Sequence, residues 1–242
     1  MEPEDLIAIS EAAERIGVSI DTLRRWDEAG KLRAIRKSPG GNRYYSEKEL
    51  EIFLHDLFKL AYEWATGSSA TDLPPTFYCA DSGIFKARLT KMETALMGIP
   101  TLQKEFPLIV AITAEIGDNS FSHNIGNWPD ATGIFFGYDI HSREVVLADR
   151  GVGVLQTLKR VRSELTNYPD ALNVAFNEIV SGREPEQRGN GLKFVKKVVA
   201  ENPISLFFQS GDTELEIHKK SNTLNIRGAS QFLRGCLARI LF

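Results

Sequence analysis

The chain has 242 residues and a formal net charge of −3 at pH 7, and 43% of its residues are hydrophobic while 25% are charged. This length and composition fit one large or two smaller folded globular domains. The two cysteines, Cys79 and Cys236, form no CxxC pair, so neither a disulfide framework nor a zinc site is indicated. Because no apolar run approaches the ~20 residues of a membrane span and the start of the chain is acidic, we expect a cytoplasmic protein with no membrane partner.

The first predicted elements are two short helices joined by a tight turn. We expect Ser10 to cap a helix over 11–16 that ends at Gly17, and Ser19 to cap a second helix over 20–29. Two helices joined by a short turn that contains glycine are the sequence form of a helix-turn-helix.

A hairpin and a third helix are predicted next. Residues 31–45 alternate basic and apolar side chains around a Pro-Gly-Gly-Asn tip at 39–42, and residues 46–49 form a capping box before an apolar stripe. Residues 24–43 contain seven basic side chains against two acidic ones. A one-sided basic patch of this kind is what contact with DNA phosphates requires.

The order of residues from Ile9 to Trp26, followed by Gly30–Leu32 and Asn42–Tyr44, closely resembles the MerR-like winged helix-turn-helix, a family shared with phage excisionases. The resemblance implies that the second helix enters a major groove of double-stranded DNA while the wing contacts the backbone. The residues that it implicates in DNA binding are Ser19, Thr22, Arg24, Arg25, Arg36, Lys37, Arg43 and Tyr44. The long dimerising helix of many such regulators is not evident, so a homodimer would need another surface.

A small, polar and Pro-terminated segment marks the candidate boundary between domains. Residues 66–75 have this composition and predict a linker. We therefore assign 1–65 to the MerR-like domain, 76–102 to a helical connector with a helix over 76–96, and 103–242 to a second domain.

The second domain combines helices and strands. A helix that starts at Phe106 is expected to place Glu115 and Asn119 one turn apart on one face. The other predicted elements are strands over 133–140 and 144–148, a helix over 170–180, and strands over 204–209, 214–218, 223–226 and 235–242. Together they predict a two-layer α/β sandwich with helices on one face of a mixed sheet.

Three short motifs in this domain describe a nucleotide phosphate site. The first runs from Glu115 to Asn119, and the second, Asp149-Arg-Gly-Val-Gly153, ends a hydrophobic strand in an acid and two glycines. The third, Arg188-Gly-Asn-Gly-Leu192, opens a helix, so free backbone N–H groups and the positive end of the helix dipole meet there.

In this order, the three motifs resemble the N, G1 and G2 boxes of the Bergerat-fold ATP-binding (GHKL) superfamily, and most of all its anti-sigma-factor and histidine-kinase branch. The resemblance covers roughly 103–242 and implies an α+β chain: an N-terminal winged helix-turn-helix and a C-terminal Bergerat sandwich, with residues 153–186 as the lid. Its implied cofactors are ATP and Mg²⁺. The implied binding residues are Asn119, Asp149, Gly151, Gly153, Arg188, Gly189, Gly191 and Leu192.

The resemblance also assigns roles. Asn119 would coordinate Mg²⁺, since an amide oxygen is a hard ligand, and Asp149 would accept a hydrogen bond from the exocyclic amine of adenine. The glycines would let the backbone approach the base and the phosphates. Gly235-Cys236 stands where the histidine-kinase branch usually has Gly-Thr, and a thiol is a poorer hydrogen-bond partner than a hydroxyl.

Glu115 is the candidate catalytic residue, and its role stays open. It would act as the general base for water in a slow ATPase, or would activate a partner's hydroxyl in a serine protein kinase of the anti-sigma type, or would belong to a site that only senses nucleotide. The leading hypothesis is an ATP-responsive DNA-binding regulator. The alternative is the kinase or slow ATPase, which acts on a protein partner.

Overall fold

The computed structural model describes residues 6–47, 50, 53–54, 56–70, 73–178 and 191–242. The predicted capping box at 46–49 falls partly outside these ranges, as does the end of the predicted helix over 170–180. Arg188 and Gly189 of the third nucleotide motif also lie outside the described residues.

The described residues of the N-terminal part include two complete helices and a small antiparallel sheet. Its elements are β1 (Leu6–Ala8), α1 (Ile9–Ile16), α2 (Ile20–Glu28), β2 (Ile35–Arg36) and β3 (Arg43–Ser46), and the sheet order is β1-β3-β2. Ser19 caps α2 as predicted, since its side chain accepts a hydrogen bond from the Thr22 N–H. Ser10 was wrong as a cap: α1 starts at Ile9, two residues before the predicted start, because strand β1 leads directly into it.

A ten-residue helix, α3 (Leu57–Thr66), follows this part of the chain. Asp56 caps it by accepting a hydrogen bond from the Lys59 N–H. Its apolar residues Leu57, Leu60, Ala61, Trp64 and Ala65 are buried, and they pack between the helix-turn-helix and the large sheet.

The large sheet has five strands, β4 (Tyr78–Cys79), β5 (Ile134–Asp139), β6 (Glu144–Asp149), β7 (Ser205–Ile217) and β8 (Asn225–Leu241), in the order β4-β5-β6-β8-β7. Every pairing among them is antiparallel, so the prediction of a mixed sheet was wrong. The predicted strand pairs 204–209 with 214–218, and 223–226 with 235–242, each form one long strand. Their pairing shifts register near Gly211, where a polar Ser-Gly-Asp segment interrupts the apolar pattern.

The remaining helices cover one face of this sheet. They are α4 (Ser82–Met97), α5 (Phe106–Asn124), α6 (Gly153–Lys159), α7 (Tyr168–Asn177) and α8 (Gly191–Glu201), with a 3₁₀ turn at Pro100–Leu102. The helix predicted from residue 76 begins only at Ser82, because Tyr78–Cys79 pairs with β5 as an edge strand and Asp81 caps the helix. None of the helices in the described ranges is both long and apolar enough to cross a membrane.

The sheet is buried on both faces, and its strands supply two hydrophobic cores. Ile134, Val145 and Leu147 point into the core beneath α4 to α8. Phe135 and Val146 point to the opposite face and share a core with α3 and the helix-turn-helix. This alternation explains why β5 and β6 have continuous apolar sequences, since strands covered on both faces need no polar positions.

Candidate nucleic-acid interface and nucleotide site

Helix α2 presents one apolar and one basic face. Leu23 is fully buried and Trp26 is 4% exposed, so both anchor the helix in the N-terminal core. Arg24 and Arg25 lie exposed on the other side. The Arg24 guanidinium donates to Asp21 at 2.8 Å, and Arg25 donates to the Thr22 hydroxyl at 3.2 Å.

The two polar residues predicted to contact DNA at the start of α2 also have local structural roles. The Ser19 hydroxyl lies 2.9 Å from that of Thr22 and accepts from the Thr22 N–H at 3.1 Å. Ser19 is exposed, whereas Thr22 is only 4% exposed. Their assignment as DNA contacts stays a prediction.

The wing between β2 and β3 is held against α2 by one carboxylate. Asp27 accepts from Arg43 Nε at 2.7 Å, from an Arg36 Nη2 at 2.5 Å and from the Ala34 N–H at 2.9 Å. Burial alone would raise the pKa of Asp27. The hydrogen bonds from Arg43 and Ala34 and the charge of Arg36 outweigh it and hold that pKa below the usual value.

Arg36 and Arg43 therefore hold the wing against α2 through their hydrogen bonds to Asp27. Their predicted contacts with DNA remain predictions. Arg43 also donates to Glu28 at 3.3 Å. At the wing, Lys37 lies over the ring of Tyr44, with Nζ 4.8 Å from the centroid. The exposed cations of the wing and of α2 thus belong to one ordered unit.

Asp149, the acid of the second nucleotide motif, ends β6 and is 1% exposed. Its carboxylate accepts from the Ser120 hydroxyl at 2.8 Å and from the Gly151 N–H at 2.8 Å. Desolvation by burial raises the pKa of Asp149 to about 6, against hydrogen bonds from Ser120, the Gly151 and Cys236 N–H groups and Asn124 that lower it. The carboxylate is thus an acceptor that ionises near neutral pH.

Glycines occupy the crowded backbone positions next to this carboxylate. A Cβ atom added to Gly235 would lie 2.3 Å from Asp149 Oδ1, and one added to Gly151 would lie 2.1 Å from Asn124 Nδ2. Gly153 has φ +76°, and a Cβ atom added to it would lie 2.8 Å from the Arg234 carbonyl oxygen. A side chain there would be both strained and crowded. The backbone around Asp149 therefore requires glycine.

Glu115 and Asn119 lie one turn apart on α5, and both are half-buried. Asn119 Nδ2 donates to Glu115 Oε1 at 3.3 Å. A Cβ atom added to Gly191, the first residue of α8, would lie 2.0 Å from Glu115 Oε1 and 2.9 Å from Asn119 Nδ2. Gly191 of the third motif, about 70 residues away in sequence, thus meets the first motif at the start of α8. Leu192, next to Gly191, packs against the core beneath α4 to α8.

Sequence reasoning missed three polar residues around Asp149. Ser120 holds the carboxylate, Asn124 accepts from the Val152 N–H through its side-chain oxygen at 2.8 Å, and Ser210 Oγ accepts from the Val154 N–H at 3.0 Å. Ser120 and Asn124 lie on the buried face of the helix that carries Glu115, in line with Ile112 and Ile116, so a search of that apolar face for polar residues would have found them. Ser210 is distant in sequence, and no local signal marks it.

Cys236 packs against this group. Its thiol lies 3.9 Å from Ser210 Oγ, and Ser210 in turn donates to the Gly235 carbonyl at 2.9 Å. Desolvation and the nearby charge of Asp149 raise the pKa of the Cys236 thiol well above its usual value. Cys236 is therefore a protonated thiol beside the acid, which makes it a weak hydrogen-bond donor.

Comparison with known proteins identifies the N-terminal part. Residues 9–45 match the family described as MerR family regulatory protein, and this region is a MerR-family helix-turn-helix domain of the DNA-binding regulatory class. A 57-residue segment, 24% of the chain, is 40% identical to the type II methyltransferase M.Eco47II of Escherichia coli. That match spans only 14% of the length of the methyltransferase.

Proposed function

We propose that the chain is an ATP-binding and DNA-binding regulatory protein in which nucleotide occupancy of the C-terminal domain modulates DNA binding by the N-terminal domain. The observation that carries the proposal is the shared core between the two. Leu23 and Trp26 of α2 belong to the same buried cluster as Phe135 and Val146 of the sheet, with α3 between them. The MerR-family domain is thus packed onto the sheet that carries Asp149.

The donor set around Asp149 fits an adenine nucleotide. Asp149 supplies the acceptor that the exocyclic amine of adenine needs, and Gly235 keeps a side chain from filling the space against that carboxylate. At the start of α8, Gly191 brings backbone against Glu115 and Asn119, where the positive end of the helix favours phosphate oxygens. These features support an ATP site in a GHKL-type domain over residues 103–242.

Asn119 would be the protein ligand of Mg²⁺. Its hydrogen bond to Glu115 uses the amide nitrogen, so the amide oxygen is the atom that would meet the metal. Among the described residues, no three His, Cys, Asp or Glu side chains cluster to hold a metal ion. Phosphate oxygens and water molecules would therefore complete the coordination shell, which is common for Mg²⁺ in proteins. When bound, the ion would neutralise phosphate charge, and Asn119→Ala should abolish the Mg²⁺-dependent part of nucleotide binding in calorimetry.

The test measures DNA affinity with and without nucleotide. A labelled duplex, selected from a random library by rounds of binding to the full chain, is titrated by fluorescence anisotropy in the absence and presence of saturating ATP and Mg²⁺. We expect the DNA dissociation constant to change by a factor on the order of 5–150, typical of coupled sites. An unchanged dissociation constant at proven ATP saturation contradicts the modulation, and no binding of ATP contradicts the nucleotide site.

The alternative is a serine protein kinase or slow ATPase that acts on a protein partner. It is favoured by the position of Glu115, whose carboxylate lies against the first residue of α8, beside Asn119. One experiment discriminates the two functions: the chain is incubated with ATP labelled in the γ-phosphate and with the proteins whose genes lie next to its own. A kinase labels a partner, whereas the proposed sensor labels none.

A further inference from the structure

The residue after Asp149 reaches the opposite side of the sheet. Successive side chains along a strand point to opposite faces, so Asp149 faces Ser120 on α5 while Arg150 faces α3. Arg150 is 2% exposed and is one of the largest fully buried side chains among the described residues. A buried guanidinium is costly unless its donors are paired, so its partners reveal its role.

The Arg150 guanidinium joins two parts of the structure. Nε and Nη2 donate to Asp130 Oδ2 at 3.0 and 2.6 Å, while Nη1 donates to the carbonyl oxygens of Trp64 and Ala65, the latter at 3.4 Å. These carbonyls belong to the last turn of α3, where a helix leaves its carbonyl groups unpaired and its dipole favours a cation. Arg150 therefore caps the C-terminal end of the helix that carries the helix-turn-helix.

Asp130 extends this connection to strand β8. It also pairs with Arg234, at 3.5 Å between Nη1 and Oδ2. Arg234 precedes Gly235, which lies against the Asp149 carboxylate. The backbone on both sides of Asp149 is thus tied, through arginines, to one carboxylate and to the end of α3.

We propose that Arg150 is a positioning residue that transmits nucleotide occupancy at Asp149 to the helix-turn-helix through the C-terminal end of α3. The inference rests on the proposed function. A nucleotide that engages Asp149 constrains residues 149–151, and the guanidinium carries any change in their position to the Trp64 and Ala65 carbonyls. Arginine suits this task because its planar group has five donors in a fixed geometry, enough for a carboxylate and two carbonyls at once.

The chain offers a matched control at the other end of the same interface. Arg239 on β8 pairs with Glu144 at 2.8 Å, and its guanidinium lies 5.2 Å from the ring centroid of Phe58 on α3. It therefore joins the same sheet to the same helix, but from the end of β6 opposite to Asp149. Arg239→Gln removes another arginine contact between the sheet and α3 without touching the residues beside the acid.

The experiment compares the ratio of DNA dissociation constants with and without saturating ATP and Mg²⁺ in the full chain, its Arg150→Gln variant and its Arg239→Gln variant. We expect Arg150→Gln to bring the ratio to within twofold of one while both ligands still bind, and Arg239→Gln to keep the wild-type ratio. A merely structural role would lower stability or both affinities and leave the ratio in place.

The outcomes separate the two levels of the proposal. A wild-type ratio of one, with both ligands bound, overturns the proposed modulation itself. A wild-type ratio away from one that Arg150→Gln preserves, or that Arg239→Gln abolishes equally, overturns only the role of Arg150. If Arg150→Gln does not fold, Arg150→Lys keeps the charge but cannot serve both partners, and the ratio must move at least threefold towards one; an unchanged ratio refutes the inference.

Discussion

The two regions of the molecule each depend on one aspartate, and the two aspartates are used in opposite ways. Asp27 in the N-terminal region is surrounded by Arg36 and Arg43, and its pKa is lowered. Asp149 in the C-terminal region has hydroxyl and N–H donors, and burial raises its pKa to about 6. A carboxylate with cationic partners stabilises a local arrangement, whereas one buried among neutral donors retains the capacity to respond to a ligand or to pH.

The difference separates a carboxylate with a structural role from one that we assign to ligand binding. The negative charge of Asp27 is paired with Arg36 and Arg43 of the wing. This carboxylate therefore positions the wing against α2, and contact with DNA is left to the exposed cations around it. Asp149 is instead surrounded by the neutral donors of Ser120, Asn124 and the Gly151 and Cys236 N–H groups, and Gly235 lets the backbone approach its carboxylate.

Asp149→Asn should abolish nucleotide binding. The substitution replaces one carboxylate oxygen with an NH₂ donor, which would face the donors of Ser120 or Gly151 and could not accept from an amine. We expect the dissociation constant for ATP to rise by roughly 100-fold or more, since an unpaired donor is left in a buried site. Calorimetry measures it, with Asp118→Asn, an exposed acid on α5, as the control. Retained ATP affinity in Asp149→Asn would show that Asp149 does not read the base.

The double variant Arg24→Ala/Arg25→Ala should weaken DNA binding without affecting ATP. Both side chains are exposed on α2, and the loss of two phosphate contacts should reduce affinity by roughly 10–100-fold and lower the salt slope by about 2. Anisotropy titrations across a range of salt concentrations measure both quantities. Lys86→Ala/Lys91→Ala on α4 removes equal charge from another surface and should change little. Equal losses in the two double variants would mean that only net charge matters.

Nucleotide affinity should fall as the pH drops below about 6, the pKa of Asp149. Only the ionised carboxylate accepts from the adenine amine, so at pH 5 we expect a loss of roughly tenfold. Folding stability should respond with the opposite sign at this residue. Because its pKa lies above the unfolded value, its contribution is present at low pH and is lost as the pH rises through about 4–6, by about 3 kcal/mol. Constant ATP affinity between pH 5 and 8 would contradict this assignment.

The local parts of this contrast were predictable from sequence, but its long-range parts were not. The cap at Ser19, the basic face of α2, and the motifs at Glu115, Asp149 and Gly191 follow from residue types at short spacing. Short spacing cannot specify packing between distant segments. The sequence therefore did not show that α3 would lie on the sheet, or that Arg150 would reach across to cap it.

The errors have the same origin. Tyr78–Cys79 was assigned to a helix because the apolar stripe from Ile84 to Leu96 was taken to begin at residue 76, whereas these two residues pair with β5. The sheet was predicted as mixed because strand direction depends on connections that periodicity does not report. The DNA contacts of Arg36 and Arg43, which the resemblance implies, stay a prediction; their ion pairs with Asp27 became visible only with the wing folded against α2.

Asp27→Asn should loosen the wing. The change removes the charge that Arg36 and Arg43 share, so we expect the free energy of unfolding to fall by about 2 kcal/mol and DNA affinity to fall a few-fold. The loss should disappear as the pH falls below the lowered pKa of Asp27, because the wild-type carboxylate is then protonated too. Denaturant titrations at pH 7 and at a series of pH values from 4 downwards measure it. Asp21→Asn is the control, since Asp21 pairs with Arg24 in an exposed position, 82% accessible, where an ion pair contributes little.

Glu115→Ala should have the smallest effect on binding and a selective effect on chemistry. The Glu115 carboxylate lies beside Asn119 and Gly191, within the region where we place the phosphates, but adenine recognition is assigned to Asp149. We therefore expect the ATP dissociation constant to stay within about threefold of the wild type while any hydrolysis is lost, since a general base acts mainly in the transition state. Turnover should be slow even in the wild type, because few cations among the described residues are available to offset the charge on the γ-phosphate. Among those near the start of α8, Lys193 is the cation in question.

Single-turnover hydrolysis and calorimetry on the same preparations separate the two effects of Glu115→Ala, with Asp118→Ala as the control for the loss of an acid from α5. Binding that survives while hydrolysis disappears would assign Glu115 as the base, and would favour the enzyme over the sensor. Hydrolysis at the wild-type rate would instead mean that Glu115 only holds Asn119. The C-terminal acid site would then resemble the ion-paired Asp27, in that both would order their neighbours, and only Asp149 would remain as a group that responds to ligand.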